Sequence, residues 1–497
     1  MPDHFISREI AEDDLLACAA FLAERIKSSD GHAEAMKEIV PRYLARGDVD
    51  LAAELANAVG DPFSRDALLI LVAEQCARVD DDEYALQLVD SIEDHGLRAQ
   101  AFELVALVKA GKGQAEKAAE IADSMVHPDL VYAGIAVNQN AGGDEDAADR
   151  ALERIEFPSA LVSALERIAA ANIDNGDAEK AATSLERAVV AAGEIEHDEE
   201  KIMALCDIGH LFIESKRNDK AIETFDRARS FAEILDNVHR DSHLVNCSLG
   251  FLYAGSGEVA ERTLDLVTDK TQMASALLGM AREHWKKGEK TEAFEALEEG
   301  YEILKSQRES ETRDSRSRNG LMATIAAQFA GFGKSDRGVE IALENKDPNE
   351  QMAALSQIAQ ILTTGRQDDL ARQTINLIAE DSNRLFALIA VSDAKNKLGE
   401  TDDSLALLDE AADLAETVPQ YSARSSVLNT IAERFAAHGQ SEKARAVSLE
   451  NLTVISQILD ESSQAAAIAN LSDVFSEANL ELGEEEKQSL QRLVRKV

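Results

Sequence analysis

Apolar and polar positions along this chain recur in one frame. Four segments show it most clearly: NGDAEKAATSLERA, GKGQAEKAAEIAD, HGQSEKARAVSLEN and GGDEDAADRALERI. Each has a glycine, a polar opening, and a small residue five positions after the glycine. Extending the frame gives twelve turn positions: Gly47, Asp80, Gly113, Gly143, Gly176, Lys216, Gly255, Gly288, Gly333, Arg366, Gly399 and Gly439. Most are spaced by 33 residues, the others by 30, 39, 40 or 45. Large aliphatics stand eleven and eight positions before the turn, as in Leu165 and Ile168, Leu205 and Ile208, or Leu428 and Ile431. That is the stripe of an amphipathic helix facing a partner. A small residue stands seven before the turn in every unit but the first, which has Val40. Small side chains at both points let two antiparallel helices approach closely beside their turn. Each unit is therefore predicted to be a helix–turn–helix, and the repetition decides the fold.

Pro62, Pro128, Pro158 and Pro348 each lie fifteen after a turn position, where the missing N–H ends the second helix. The longer spacings lack that proline. Their six or seven extra residues predict about two more helical turns, one on each flanking helix. The spacing of 45 contains KSQRESETRDSRSRNG, a polar stretch expected to be a flexible joint.

Leu205 to Ala228, LCDIGHLFIESKRNDKAIETFDRA, carries Leu205, Gly209, Phe212, Ala221, Phe225 and Ala228 at a spacing that resembles the tetratricopeptide-repeat (TPR) family. The resemblance covers roughly residues 30 to 480. It departs from the family in the early-helix Trp, replaced here by Leu, Met, Phe or Tyr. It implies an all-α fold, a right-handed superhelical solenoid of antiparallel helix–turn–helix repeats. The expected layout is an N-terminal capping region at 1–30, repeats at 31–305, the joint at 306–319, further repeats at 320–461 and C-terminal capping helices at 462–497. The resemblance also implies binding of a protein or peptide in a concave groove lined by the first helices.

Composition narrows the partners. A net charge of −42 repels nucleic acid and anionic membranes, and no basic stripe opposes it. Cys18, Cys76, Cys206 and Cys247 are far apart with no C-x-x-C pair, which argues against disulfides and structural zinc. No signal peptide or spanning segment is evident, so a cytoplasmic protein without membrane insertion is expected.

One stretch mimics chemistry. HRDSHLVNC, His239 to Cys247, has the spacing of a kinase catalytic loop and places His239, His243 and Cys247 four apart. The kinase reading needs a glycine-rich loop, a strand lysine and D-F-G, none of which stands in a suitable context. In the repeat frame Leu244 and Cys247 are core positions, so the stretch is expected to be a helix entry. Cys206 follows core Leu205 and is placed near the inner surface, without a paired histidine to activate it.

Groove-facing positions fall ten, nine, six, three and two before each turn. The candidates they give for partner contact are His210, Asn246, Tyr253, Arg282, Trp285, Lys286, Gln357, Gln360, Asn396, Lys397 and Asn429. Trp285 with Arg282 suits a binding anchor, or else packs on the adjacent helix. The chain reads as a non-catalytic scaffold or adaptor with no cofactor and no metal. The alternatives are a sensor array that binds a signal peptide and, further off, a helical-array enzyme or metal-binding protein.

Overall fold

The computed structural model describes residues 5–307 and 315–496. Among them the regular structure is helical, with 28 α-helices. All twelve turn positions have φ between 56° and 89°, and among the described residues only Asn479, at 50°, joins them. A left-handed backbone costs an L side chain about 1–2 kcal/mol, which is why nine of the twelve are glycine. The residue after the turn donates its N–H back to the first helix, as Asp177 does to the Asn172 carbonyl at 2.8 Å and Ser256 to Phe251 at 2.8 Å.

The small positions touch as their spacing requires. A Cβ on Gly338 would lie 2.4 Å from the Ala326 carbonyl oxygen. Ser392 and Ser404 hold their hydroxyls 2.8 Å apart, and Ser248 donates to the Ala260 carbonyl at 2.8 Å. In each pair one residue lies seven before a turn and the other five after it.

Two expectations change. The extra residues of the 39- and 40-residue spacings go into the second helix and its end, not into the first helix. First helices are mostly 17 residues throughout, whereas second helices grow from eight in Ala115–Ala122 to 17 in Ala178–Glu194 and Asn218–Ile234. The added turns give the second helix more length to bury, while the first helix is already bounded by its neighbours. The prolines also start the next helix: Pro62 and Pro158 sit at its opening positions, where the absent N–H has no intrahelical partner anyway. Of the expected joint, residues 308–314 lie outside the described residues, and Ser315–Gly331 is a helix.

The chain divides into two compact units, Met1–Val105 with Leu355–Val497, and Ala106–Ala354. In the first, Leu15–Ala23 packs along Glu461–Glu477 as a second helix packs along its first. Glu461–Glu477 also lies beside Ser29–Arg46, as neighbouring first helices do. It ends before Asn479, the extra left-handed position, and has core Ile468, Leu471 and Phe475 in the repeat frame. Here, then, is a thirteenth repeat whose two helices come from opposite ends of the chain. All nine residues of Leu15–Ala23 are buried, as expected of a helix apolar on every side. Arg42 ties the junction, reaching Asp473 at 2.9 Å and the Asn470 side chain at 2.6 Å, and Lys487 pairs with Asp13 at 3.0 Å.

In the second unit, Phe225 of a long second helix fills the space between two first helices. A Cβ on Gly209 or Gly250 would meet its ring at 2.6 or 2.3 Å. Asp241, the acid of the kinase-like stretch, is 8% exposed. It accepts from Thr268 N–H and hydroxyl, both at 2.8 Å, and from Asp269 N–H at 2.6 Å. Burial pushes its pKa up, but these bonds and Arg240 outweigh burial and hold it below the usual range. Asp66 and Asp129 hold the loops after their own repeats in the same way. This aspartate is a loop clamp.

Candidate functional site

First helices of the second unit stack side by side, Pro158–Asp174, Asp198–Glu214, Arg240–Tyr253 and Lys270–Lys287 in turn. Their groove-facing positions form a stripe that is mainly acidic at one end, where Glu166, Asp174, Asp207 and Glu214 outnumber Arg167, and basic at the other. At one end Glu166 is half-buried, and its Oε1 is sealed from solvent with no hydrogen-bond partner. Burial, and then the nearby Asp207, raise its pKa to about 7. Asp207 is raised too, by burial, with His210 opposing. His210 is lowered by burial against the pull of Asp207 and Glu214, so a neutral imidazole is favoured.

The middle of the stripe is aromatic. The His210 ring meets Phe225 edge-on at 5.2 Å and lies 6.1 Å from Tyr253. Burial raises the Tyr253 hydroxyl, keeping it protonated and able to donate. Asn246 is exposed about two turns earlier on the same helix. The far end is basic on balance: Lys286 lies 6.0 Å from the Tyr253 ring and 3.8 Å from Glu283, and Arg282 is exposed, donating to Gln328 at 2.7 Å. Trp285 stacks on Phe332 at 4.2 Å and meets Phe294 edge-on at 5.8 Å. Its ring is committed to packing between repeats.

The remaining candidates belong to the first unit. Gln357, Asn396 and Lys397 are exposed and Gln360 is half-buried. Asn429 is only 7% exposed and bonds to Glu433 and the Asn470 carbonyl. Sequence reasoning passed over Glu166 and Asp207, although both stand at groove offsets, ten and nine before their turns. They were lost among 93 acidic residues, and burial is what distinguishes them.

No activated nucleophile emerges from the cysteines. Cys206 and Cys247 hold their sulfurs 3.8 Å apart in the core, and the hydrogen bond between them with burial pushes Cys206 well above its usual range. Cys206 is buried, not on the inner surface, because its helix turns it toward Cys247. His243 is buried as well, where other units have alanine, valine or leucine. Among the described residues no grouping of three or more His, Cys, Asp or Glu could hold a metal ion, and no helix is long and apolar enough to cross a membrane.

Helix pairs joined by a left-handed turn, closed by paired small residues and stacked first helix on first helix, characterise one repeat type. These are tetratricopeptide-like repeats. No family model matches the sequence, and no curated protein matches it significantly. Similar solved structures include TPR-like repeats of a putative kinesin light chain from Podosopora anserina, at 15% identity over 52% of this chain and 97% of that one, TM-score 0.24. The apo form of the quorum sensor NprR from B. thuringiensis is 13% identical over 65% and 97%, TM-score 0.26. The APC/C hetero-tetramer Cut9–Hcn1 is 14% identical over 87% and 89%, TM-score 0.21. Likenesses this low carry no argument about what the TPR-like array does.

Proposed function

We propose that the chain is a protein-interaction array whose docking face is the first-helix stripe from Glu166 to Lys286. The observation that carries this reading is the sorting of charge about an aromatic centre, with carboxylates at one end, His210 and Tyr253 in the middle, and Arg282 and Lys286 at the other. A partner segment laid across the stripe brings a basic side chain to Asp207 and an acidic one to Lys286. Neighbouring helices lie about 8–10 Å apart, so those ends are separated by about 16–20 Å, the reach of five or six extended residues. The aromatic centre supplies contact area between them.

The test is to capture partners with the native chain, then measure one purified partner against Asp207→Lys, Lys286→Glu and an outer-face control, Glu186→Lys. The expected result is at least tenfold weaker binding for each face variant and little change for the control. Equal binding by all four proteins refutes the assignment of this face.

A further inference from the structure

Cys206 and Cys247 stand 41 residues apart, yet their sulfurs lie 3.8 Å from one another in the core of the second unit. The repeat frame brings them together. Cys206 lies ten before its turn and Cys247 eight before the next, on the neighbouring first helices Asp198–Glu214 and Arg240–Tyr253. The other two cysteines, Cys18 and Cys76, belong to the first unit. Disulfide sulfurs lie about 2.05 Å apart, so closure asks each sulfur to move by about 0.9 Å.

Access and reactivity differ between the two. Cys206 is 5% exposed, the least covered of the four cysteines, while Cys247 is fully buried. The hydrogen bond with Cys247, then burial, keep Cys206 protonated. A thiol held in that form reacts slowly, and the packing around it shuts out bulky oxidants. Hydrogen peroxide, little larger than water, meets Cys206 first. Once Cys206 has reacted, Cys247 is already in contact with it, so the second step needs no encounter. The burial that slows formation also guards the product, because reduction requires a thiolate to reach one of the sulfurs.

We propose that hydrogen peroxide, or another hydroperoxide of similar size, converts this pair to a disulfide that ties two neighbouring first helices together. In its thiolate form Cys206 attacks one peroxide oxygen. The S–O bond forms, the O–O bond breaks, and the leaving hydroxide takes up the proton that the thiol gave. The Cys247 sulfur then attacks the sulfenic sulfur, the S–O bond breaks, and a second water leaves with the Cys247 proton. Each sulfur is oxidised by one electron and the peroxide is reduced by two. The closed loop, 206–247, contains the Lys216 turn and the long helix Asn218–Ile234. Asp207 follows one cysteine and Asn246 precedes the other, so the bond fixes the spacing of two stripe positions, whatever docks there.

The test treats the folded full chain with excess hydrogen peroxide, then counts free thiols by alkylation under denaturing conditions and maps peptides by mass spectrometry. The expected result is a fall from four thiols to two, with a Cys206–Cys247 cross-linked peptide that dithiothreitol separates. Melting of the second unit should rise by about 4–16 °C, since the cross-link restricts the unfolded chain. In Cys247→Ala, Cys206 should stop at the sulfenic acid, trapped by dimedone, with no rise in melting. If that variant fails to fold, the peptide map of the wild type still decides. Four thiols surviving in the folded chain overturn the proposal, as does a cross-link that forms only in urea. Cross-links to Cys18 or Cys76, or between chains, overturn it as well.

Discussion

Glu166→Gln is expected to stabilise the second unit, and to do so only as pH rises. The carboxylate has its pKa raised from 4.5 to about 7 by burial and by Asp207. A group raised on folding contributes its stability below the unfolded pKa and loses it as pH climbs through the folded value. Wild type should therefore weaken between about pH 5 and 7.5, while the Gln variant has no such loss. Raised from 4.5 to about 7, the carboxyl sets a ceiling of about 3 kcal/mol. The side chain is only partly buried, so screening reduces this to about 1–2 kcal/mol. For a unit of this size that corresponds to a melting shift of about 2–8 °C.

Trp285 is the only tryptophan and lies in the second unit, so its fluorescence reports that unit directly. Urea unfolding followed at this probe from pH 5.5 to 8.5 avoids the region of the pI, 4.6. The stability difference between variant and wild type should grow across the range. Asp207→Asn should recover part of it in the wild-type background. Parallel curves for wild type and Glu166→Gln would sink the account of a strained carboxylate.

Three further outcomes are expected. Asp241→Ala should cost about 1–3 kcal/mol, because three part-buried donors lose their acceptor, and hydrogen exchange should quicken at Thr268 and Asp269 first. Leu16→Ala should cost about 2–5 kcal/mol and raise exchange in 461–477, which a capping helix independent of that segment would not do. Lys216→Gly should gain about 0.5–1 kcal/mol by relieving a left-handed lysine at φ 62°, and an unchanged urea midpoint would count against strain there.

The turns were legible because a positive φ and close helix approach each demand a special residue type. The thirteenth repeat was half legible. Before Asn479 the frame holds, with Ser472 at the small position and Phe475 at the aromatic one, but five after it stands Glu484, and the pattern stops. It stops because the second helix lies some 450 residues away, at Leu15–Ala23. Placement of the inserted turns was illegible, since helical periodicity runs unbroken through both flanking helices. The groove offsets gave direction but not depth. They put Asn429 and Asn246 in the same groove-facing class, yet one is sealed and the other open. For Trp285 the offsets left anchor and packing both open, and Phe332 stacked on its ring is packing.

The composite repeat also imposes an order in time. Leu15–Ala23 leaves the ribosome roughly 440 residues ahead of Glu461–Glu477. At about 5–20 residues per second, an entirely apolar helix waits tens of seconds for its partner. The contiguous unit, Ala106–Ala354, can complete itself within that interval. Arg8–Ala11 and Ser29–Arg46 can cover part of that helix early, but the face that Glu461–Glu477 buries has no native cover until the late segment arrives.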